Sequence, residues 1–469
     1  MTSLHELPPN TLVVVGQRAV PMPTLAPGDL ALPITRLGEL LVLPHEAHEA
    51  ARLAVEEAAL AVEALAHVPS AAVDAFFTRF AELLADDTVW AQIAEANRAD
   101  VEDAEARGRS AARLAVSAKM RSDMIAGLRI WARTPARVGE LIEQRVSEGY
   151  RIERRRAPLG VVAFVFEGRP NVFADGVGVI RNGNAAVMRI GADALRTALA
   201  IEQLALAPAL RESGLPSGAA RLVRHRSHAA GQALFTLPQV RLAVARGSGA
   251  TVALLGAIAE QHGIPASLHG TGGAWMFIDE SADEAAVRQA IVNSLDRKVC
   301  NTLNVLLLAR ATRDRLGPVV AQALASVQAR VHVVHGSEGV VAGEPDYPAD
   351  ALGREWEWEH TPELSFALVH DLAEAARIFN AQSPRFVASI LSTRAGAFEQ
   401  FYAAVDAPYV SNGFTRWVDG QWAYERPELG LTNWENGRLL GRSGFLSGDD
   451  ITSVRDVFVD QTGHAPQRR

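Results

Sequence analysis

With a single cysteine, Cys300, among 469 residues, the chain has no internal disulfide and no metal site built from several thiolates. That usage points to a reduced compartment, with the cytoplasm as the default. No stretch approaches the ~18 consecutive apolar residues of a membrane span, and the opening MTSLHELPPN has no basic segment leading into an apolar one. Nothing is therefore expected to target or anchor it. Positive charge is also not in excess: the net charge of -8 and pI near 5.9 argue against general nucleic-acid binding, which needs a positive contact surface. H-E-x-x-H, a calcium loop, G-x-S-x-G and a P-loop are all missing, so no metal is expected, and serine hydrolysis and ATP-driven phosphoryl transfer are disfavoured. Nor does a complete G-x-G-x-x-G follow any strand-like run.

What is there reads as a globular α/β chain of two or three packed units, with 48% apolar and 21% charged residues. Residues 1–45, punctuated by LPPN, VPMPTLAPGD and LVLPHE, are expected to form an irregular extension. From Glu46 the texture becomes Ala-rich helical periodicity that continues to about residue 134. EGYRIERRRAPLG then alternates with period two, which predicts a solvent-exposed hairpin over about 142–157. Short apolar runs spaced by helical segments follow: GVVAFVF, NAAVMRI, AARLV, VRLAVA and AWMFID. Such spacing predicts a parallel, doubly wound sheet that binds ligands beyond its C-terminal strand ends. The expected units are a cofactor domain over 46–278, a smaller α/β catalytic domain over 279–405, and a Trp- and Gly-rich return over 406–469.

Three stretches carry candidate chemistry. Cys300, in DRKVCNTLNVLLL, follows Arg297 and Lys298, cations that favour a thiolate, and precedes an apolar strand that would hold it rigidly. The bland alternative is a small buried hydrophobe beside a solvated helix end. In FEGRPNVFADG, Pro170 can open a helix and leave the Asn171 amide free to donate to an oxygen; an ordinary capping turn would also use Asn. In MRIGAD, Arg189 follows a strand where it could meet a phosphate. GLPSGAARLV and ARGSGATVALLG are turn-rich and weaker, HRSH reads as a surface turn, and EWEWEH reads as packing or a substrate gate.

Taken in order, these segments resemble the aldehyde dehydrogenase superfamily and, within it, the gamma-glutamyl phosphate reductase branch, over roughly residues 50–460. The resemblance is carried by PLGVVAFVFEGRPNVFADGVGVIRNGNAAVMRIGADA, GLPSGAARLV, ARGSGATVALL, HGTGGAW with IDESAD, and VCNTLNVLLL. It implies an aldehyde-dehydrogenase-like fold with a β-hairpin oligomerisation segment, and a homodimer or homotetramer. It also implies Cys300 as nucleophile and Asn171 as oxyanion partner. NADP(H), with NAD as the alternative, would be lined by Arg189, Gly191, Gly214, Pro216, Gly218, Arg246, Gly247, Ser248 and Gly249. Glu167, Arg169, Lys298, Asn301 and Arg416 would face a small acyl phosphate or semialdehyde.

The implied activity is reduction of an acyl phosphate, by resemblance gamma-glutamyl phosphate, through a cysteine thioester on the route to proline. Hydrolytic relatives carry a general base in a Glu-Leu-Gly-Gly-type turn, whereas HGTGGAW has no carboxylate, which favours phosphate over water as the partner of the thioester. The chain departs from the branch at Asn304, Trp275, Ala192 and over 437–446. A paralogue acting on another phosphorylated amino acid, a phosphate-independent aldehyde dehydrogenase and a catalytically silent binding subunit therefore stay open.

Overall fold

In the computed structural model, residues 7–109, 114–166, 168–419, 428–432, 434–435, 438–439 and 445–461 are described. The chain divides into two compact units, one running to His269 and including the strand Thr452–Asp460, the other beginning at Gly270.

The first unit opens on two antiparallel hairpins where an irregular extension was expected: β1 (Leu12–Val15) with β2 (Arg18–Pro21), and β3 (Leu30–Ile34) with β4 (Glu39–Leu43). Gly16 at φ +60° and Gly38 at φ +65° supply the left-handed backbone their turns need. Pro21 ends β2, and Pro33 is tolerated within β3 because a two-stranded sheet consists of edge strands. Leu32, Ile34 and Leu43 bury against the alanine face of α1 (His45–Leu65), made by Ala47, Ala51, Ala54 and Ala58.

Helices α2 (Ser70–Ala85), α3 (Asp87–Ala106) and α4 (Ala118–Arg133) follow, and Asp86 caps α3 by accepting from the Thr88 and Val89 amides. Phe76, Phe77, Phe80 and Trp131 form the aromatic heart of this layer. β5 (Leu141–Ser147) and β6 (Tyr150–Pro158) are an antiparallel hairpin, and Thr452–Asp460 pairs antiparallel with the other edge of β6.

The main sheet contains β7 (Val161–Val165), α5 (Val172–Gly176), β8 (Ala185–Arg189), α6 (Leu195–Ile201), α7 (Ala207–Glu212), β9 (Ala220–Leu222), α8 (His228–Leu234), β10 (Val240–Arg246), α9 (Gly249–Gln261) and β11 (Ala266–His269) in chain order. Its strands, in the order β11-β10-β7-β8-β9, are all parallel. Alternate residues feed opposite layers: Val162, Phe164, Ala186 and Met188 enter the core with α2 and α4, while Val161, Ala163, Val165, Ala185 and Val187 enter the core with α1 and α9. Burial on both faces explains the continuous apolar runs. The order reverses at β7, which opens a crevice at the C-terminal ends of β7 and β10.

The second unit is built on seven parallel strands in the order β15-β14-β16-β13-β12-β17-β18. They are β12 (Ala274–Ile278), β13 (Leu303–Ala309), β14 (Arg330–Val334), β15 (Glu344–Tyr347), β16 (Glu363–Val369), β17 (Val387–Leu391) and β18 (Tyr409–Ser411). Helices α10 (Glu284–Ser294), α11 (Arg313–Ser326), α12 (Leu372–Gln382) and α13 (Ala397–Ala404) connect them. The AWMFID strand, read into the first unit, lies at the heart of this second sheet, between β13 and β17. A strand buried on both faces is apolar throughout, and that uniform texture does not say which sheet it joins. Among the described residues, no helix is long and apolar enough to cross a membrane.

Candidate active site

Three adjacent parallel strands of the first unit end in chemistry. Beyond β7 come Arg169 and Asn171, β10 ends at Arg246, and β11 ends at His269. Asn171 leads into α5, all of whose residues are buried, and among them is Asp175. The charges of Arg246 and Arg169 bear on both Asp175 and His269, so these side chains form one cluster. Burial pushes the Asp175 carboxyl up to about 6 despite the two guanidinium groups. Burial, reinforced by Arg246 and Arg169, pushes His269 down to about 3, so its imidazole is neutral at physiological pH. Asp175 and His269 were not among the sequence candidates. One lies inside an apolar helix and the other at the end of an apolar strand, where a polar residue is the available signal. Glu167 lies outside the described residues.

The neighbouring edge suits an anionic cofactor. Arg189, at the end of β8, is 3% exposed; its Nη2 donates to the Arg226 carbonyl at 3.2 Å, and its Nε has no acceptor. Burial, with Arg189 and Arg109 and against Asp193, holds the His228 imidazole below its ordinary range; Asp193 is itself paired with Arg107 and Arg109. Gly191 begins the turn after β8, and Ala194 donates to its carbonyl. Gly247 and Ser248 lead into α9, whose thirteen residues begin at Gly249. A Cβ at Gly247 would meet nothing within 4 Å, so an incoming group could lie against the backbone there. A nicotinamide dinucleotide, with its phosphates, fits Arg189, Gly191 and the Arg246–Gly249 turn.

Gly214, Pro216 and Gly218 do not belong to this edge. They lie between α7 and β9, hence at the N-terminal end of a strand parallel to β8, opposite the loops just described. Gly214, at φ +76°, ends α7 in a left-handed turn, and a Cβ on Gly218 would come within 2.1 Å of the Glu57 carbonyl oxygen of α1. These are folding glycines, for helix termination and close packing, and the sequence pattern alone does not separate that use from phosphate binding.

In the second unit, Cys300 is partly exposed on a turn leading into β13. The turn is cross-braced: Thr302 Oγ1 donates to the Arg297 carbonyl at 2.8 Å and accepts from the Val299 amide at 2.9 Å. Gly273 donates to the Cys300 carbonyl at 2.7 Å. A Cβ on Gly272 would lie 2.4 Å from the same oxygen and 2.7 Å from the Cys300 Cα, so the Gly-rich turn presses directly on the cysteine backbone. Glu355 holds both pieces: one oxygen accepts from the Gly272 amide at 2.6 Å and the other from Lys298 Nζ at 2.6 Å. Nothing in EWEWEH signalled that role.

The remaining sequence candidates have structural partners. Lys298, 6% exposed at its side chain, is committed to Glu355, and Arg416 is committed to Asp296 and the Arg297 carbonyl. Both cations brace the cysteine turn through charge partners distant in sequence. Asn301 is buried, and its carbonyl accepts from the Thr415 hydroxyl at 2.7 Å. Two departures from the resembled branch are also structural. The Asn304 amide bonds the Arg354 carbonyl and the Trp356 amide, fixing the strap that carries Glu355, while Trp275 packs edge-on against Phe379. A surface cavity of about 490 Å³ near Trp90, Arg121 and Arg129 includes none of these residues.

A doubly wound sheet with a phosphate-friendly edge, joined in one chain to a second parallel α/β unit that carries a braced cysteine, defines a nicotinamide-linked oxidoreductase fold. The chain belongs to the aldehyde dehydrogenase family, whose model matches residues 38–335. Among curated relatives, gamma-glutamyl phosphate reductase of Anaeromyxobacter sp. is 34% identical over 377 residues, 77% of this chain and 82% of that protein. The same-named protein of Rhodopirellula baltica is 32% identical over 354 residues, 72% of this chain and 79% of the relative. The crystal structure of gamma-glutamyl phosphate reductase from Thermotoga maritima matches the fold with a TM-score of 0.81 at 24% identity, covering 89% of this chain and all of that one.

Proposed function

We propose that this protein reduces gamma-glutamyl phosphate to glutamate 5-semialdehyde with NADPH, releasing phosphate on the route to proline. The observation that carries the reading is the set of relatives of that name at 32% and 34% identity over most of both chains. The sequence segments that carry the resemblance include the braced Cys300 turn. In this mechanism the Cys300 thiolate attacks the acyl carbon, the C–O bond to phosphate breaks, and a thioester forms as phosphate leaves. A bound nicotinamide supplies hydride to that carbon. The resulting thiohemiacetal oxyanion is held by donors such as the Asn171 amide; its collapse breaks the C–S bond, releases the aldehyde and restores the thiolate. One such donor is worth about 3 kcal/mol.

Phosphate rather than water is the physiological partner of the thioester in this reading. The segment His269–Gly273 carries no carboxylate, and both oxygens of nearby Glu355 are occupied by Lys298 and Gly272. NADP over NAD is favoured by the buried guanidinium of Arg189 at the end of β8, whose Nε has no acceptor and suits a phosphate. A homodimer or homotetramer is supported by the apolar exposure of Ile142, Val146, Val454 and Phe458 on the three-stranded β5–β6 sheet. A lone thiol nucleophile suits the reduced cytoplasm. Supplying glutamate 5-semialdehyde and NADP+ with and without phosphate tests the reading: NADPH formation at steady state should require phosphate, and equal turnover without it would overturn the assignment.

A further inference from the structure

Two loops meet at Cys300, one leading into β12 and one leading into β13. The Gly273 amide donates to the Cys300 carbonyl at 2.7 Å, and a side chain on Gly272 would strike the same oxygen. A single backbone hydrogen bond is a weak tie for two loops. A third segment supplies a stronger one. Glu355, 15% exposed at its side chain, accepts from the Gly272 amide with one oxygen and from Lys298 Nζ with the other, each at 2.6 Å. One carboxylate therefore spans the loop before β12 and the loop that carries Cys300. Lys298 is 6% exposed, and the other carboxylate near it, that of Glu357 at 3.9 Å, is 70% exposed. Charge-assisted bonds to both oxygens of a half-hidden carboxylate are directional, and removing either partner strands the charge of the other.

The strap that carries Glu355 is itself fixed by β13. The register of β12 against β13 slips at Asn304, with Ala274 facing Leu303 and Trp275 facing Val305. A residue left over in this way can aim its side chain away from the ladder. Asn304 uses that freedom: its Nδ2 donates to the Arg354 carbonyl at 2.8 Å and its Oδ1 accepts from the Trp356 amide at 2.9 Å, one bond on each side of Glu355. A carboxylate at 304 would lack the donor. The buried Trp356 ring donates from Nε1 to Ser365 Oγ at 3.0 Å and stacks on His332 at 3.8 Å and 6°. With both oxygens engaged, Glu355 is not a free base, so its place is explained by what it joins.

We infer that Glu355 is a positioning residue for Cys300: through Gly272 and Lys298 it locks together the two loops that place the sulfur, and Asn304 holds Glu355 in turn. The inference deepens the proposed function and rests on it for the role of Cys300 as nucleophile.

Two measurements on the full chain test it. The first is hydrogen exchange and needs no turnover. Glu355→Gln keeps the shape, but its amide nitrogen accepts nothing, so one of the two ties is lost. Peptides covering 270–275 and 297–303 should then exchange on the order of 10- to 100-fold faster together, as expected for hydrogen bonds to a charged group, while the rest of the second unit keeps its protection. Unchanged exchange in both peptides would overturn the tie, and faster exchange throughout the unit would assign Glu355 to folding instead.

The second is steady-state kinetics with glutamate 5-semialdehyde, phosphate and NADP+. Glu355→Gln should lower kcat by on the order of 10²-fold and leave KM for aldehyde and cofactor within about threefold. Asn304→Asp, which removes only the donor to the Arg354 carbonyl, should lower kcat by about tenfold with the same split. Lys298→Met should also lower kcat, and the Glu355→Gln, Lys298→Met double variant should lose no more than the worse single one, because the pair acts as a unit. A raised KM for NADP+ at unaltered kcat, or losses that multiply in the double variant, would overturn the positioning role. Absence of phosphate-dependent turnover in the wild type would instead count against the proposed function, with the exchange result still deciding the tie.

Discussion

Gly272 matters because of what it touches rather than its own backbone angle. Its missing side chain lets the turn lie on the Cys300 carbonyl, where a methyl group would intrude to 2.4 Å. Gly272→Ala should therefore displace Cys300, the proposed nucleophile, and lower kcat by on the order of 10²-fold, with a smaller change in cofactor KM; steady-state kinetics beside a melting curve would measure both. His269 gives a pH signature. Its pKa falls from 6.5 to about 3 on folding, so the unfolded chain takes up a proton between those values while the folded protein does not, and stability drops as pH falls through that window. Asp175, raised to about 6, opposes this, since the folded protein gains its proton first. His269→Gln removes the larger effect, so between pH 7 and pH 5 its melting temperature should fall less than that of wild type. An equal fall would contradict the burial of a neutral imidazole. Cys300 and Asn171 stand out in the sequence because their residue types are informative within a short motif. Asp175, His269 and Glu355 do not, because their meaning comes from partners brought together only by folding.

At the level of elements, periodicity carried much of the architecture. The short apolar runs GVVAFVF and NAAVMRI are the strands found at β7 and β8, and EGYRIERRRAPLG contains β6. Sheet membership was harder, as β12 illustrates, since an apolar strand buried on both faces is the same string in either sheet. The edge at which a loop lies was harder still. GLPSG looked like a cofactor turn, but it precedes β9 and packs on α1. Gly218→Ala should therefore cost about 1–3 kcal/mol of stability by crowding Glu57 while leaving KM for NADP+ unchanged. A raised KM at unaltered melting temperature would return the turn to the cofactor. The β5–β6 sheet, extended by Thr452–Asp460, exposes Val146 at 64% and Phe458 at 51%. Replacing both by Ser should lower the mass seen in sedimentation, whereas an unchanged mass would assign association to another surface.

Over the whole molecule, the two units divide the labour proposed here. The first offers an edge for a dinucleotide and a buried cluster of Asp175, His269, Arg169 and Arg246, and the second offers a thiol on a turn held by Glu355 and Lys298. The account depends on a thioester at Cys300 that waits for phosphate because no base in its turn activates water. Rapid mixing with glutamate 5-semialdehyde and NADP+ in phosphate-free buffer, followed by intact-protein mass measurement, tests that dependence directly. One equivalent of NADPH per active site should appear in a burst and then stop, with an acyl group retained on Cys300 until added phosphate restarts turnover. Continuous NADPH production without phosphate, or a burst that leaves no adduct on Cys300, would contradict it.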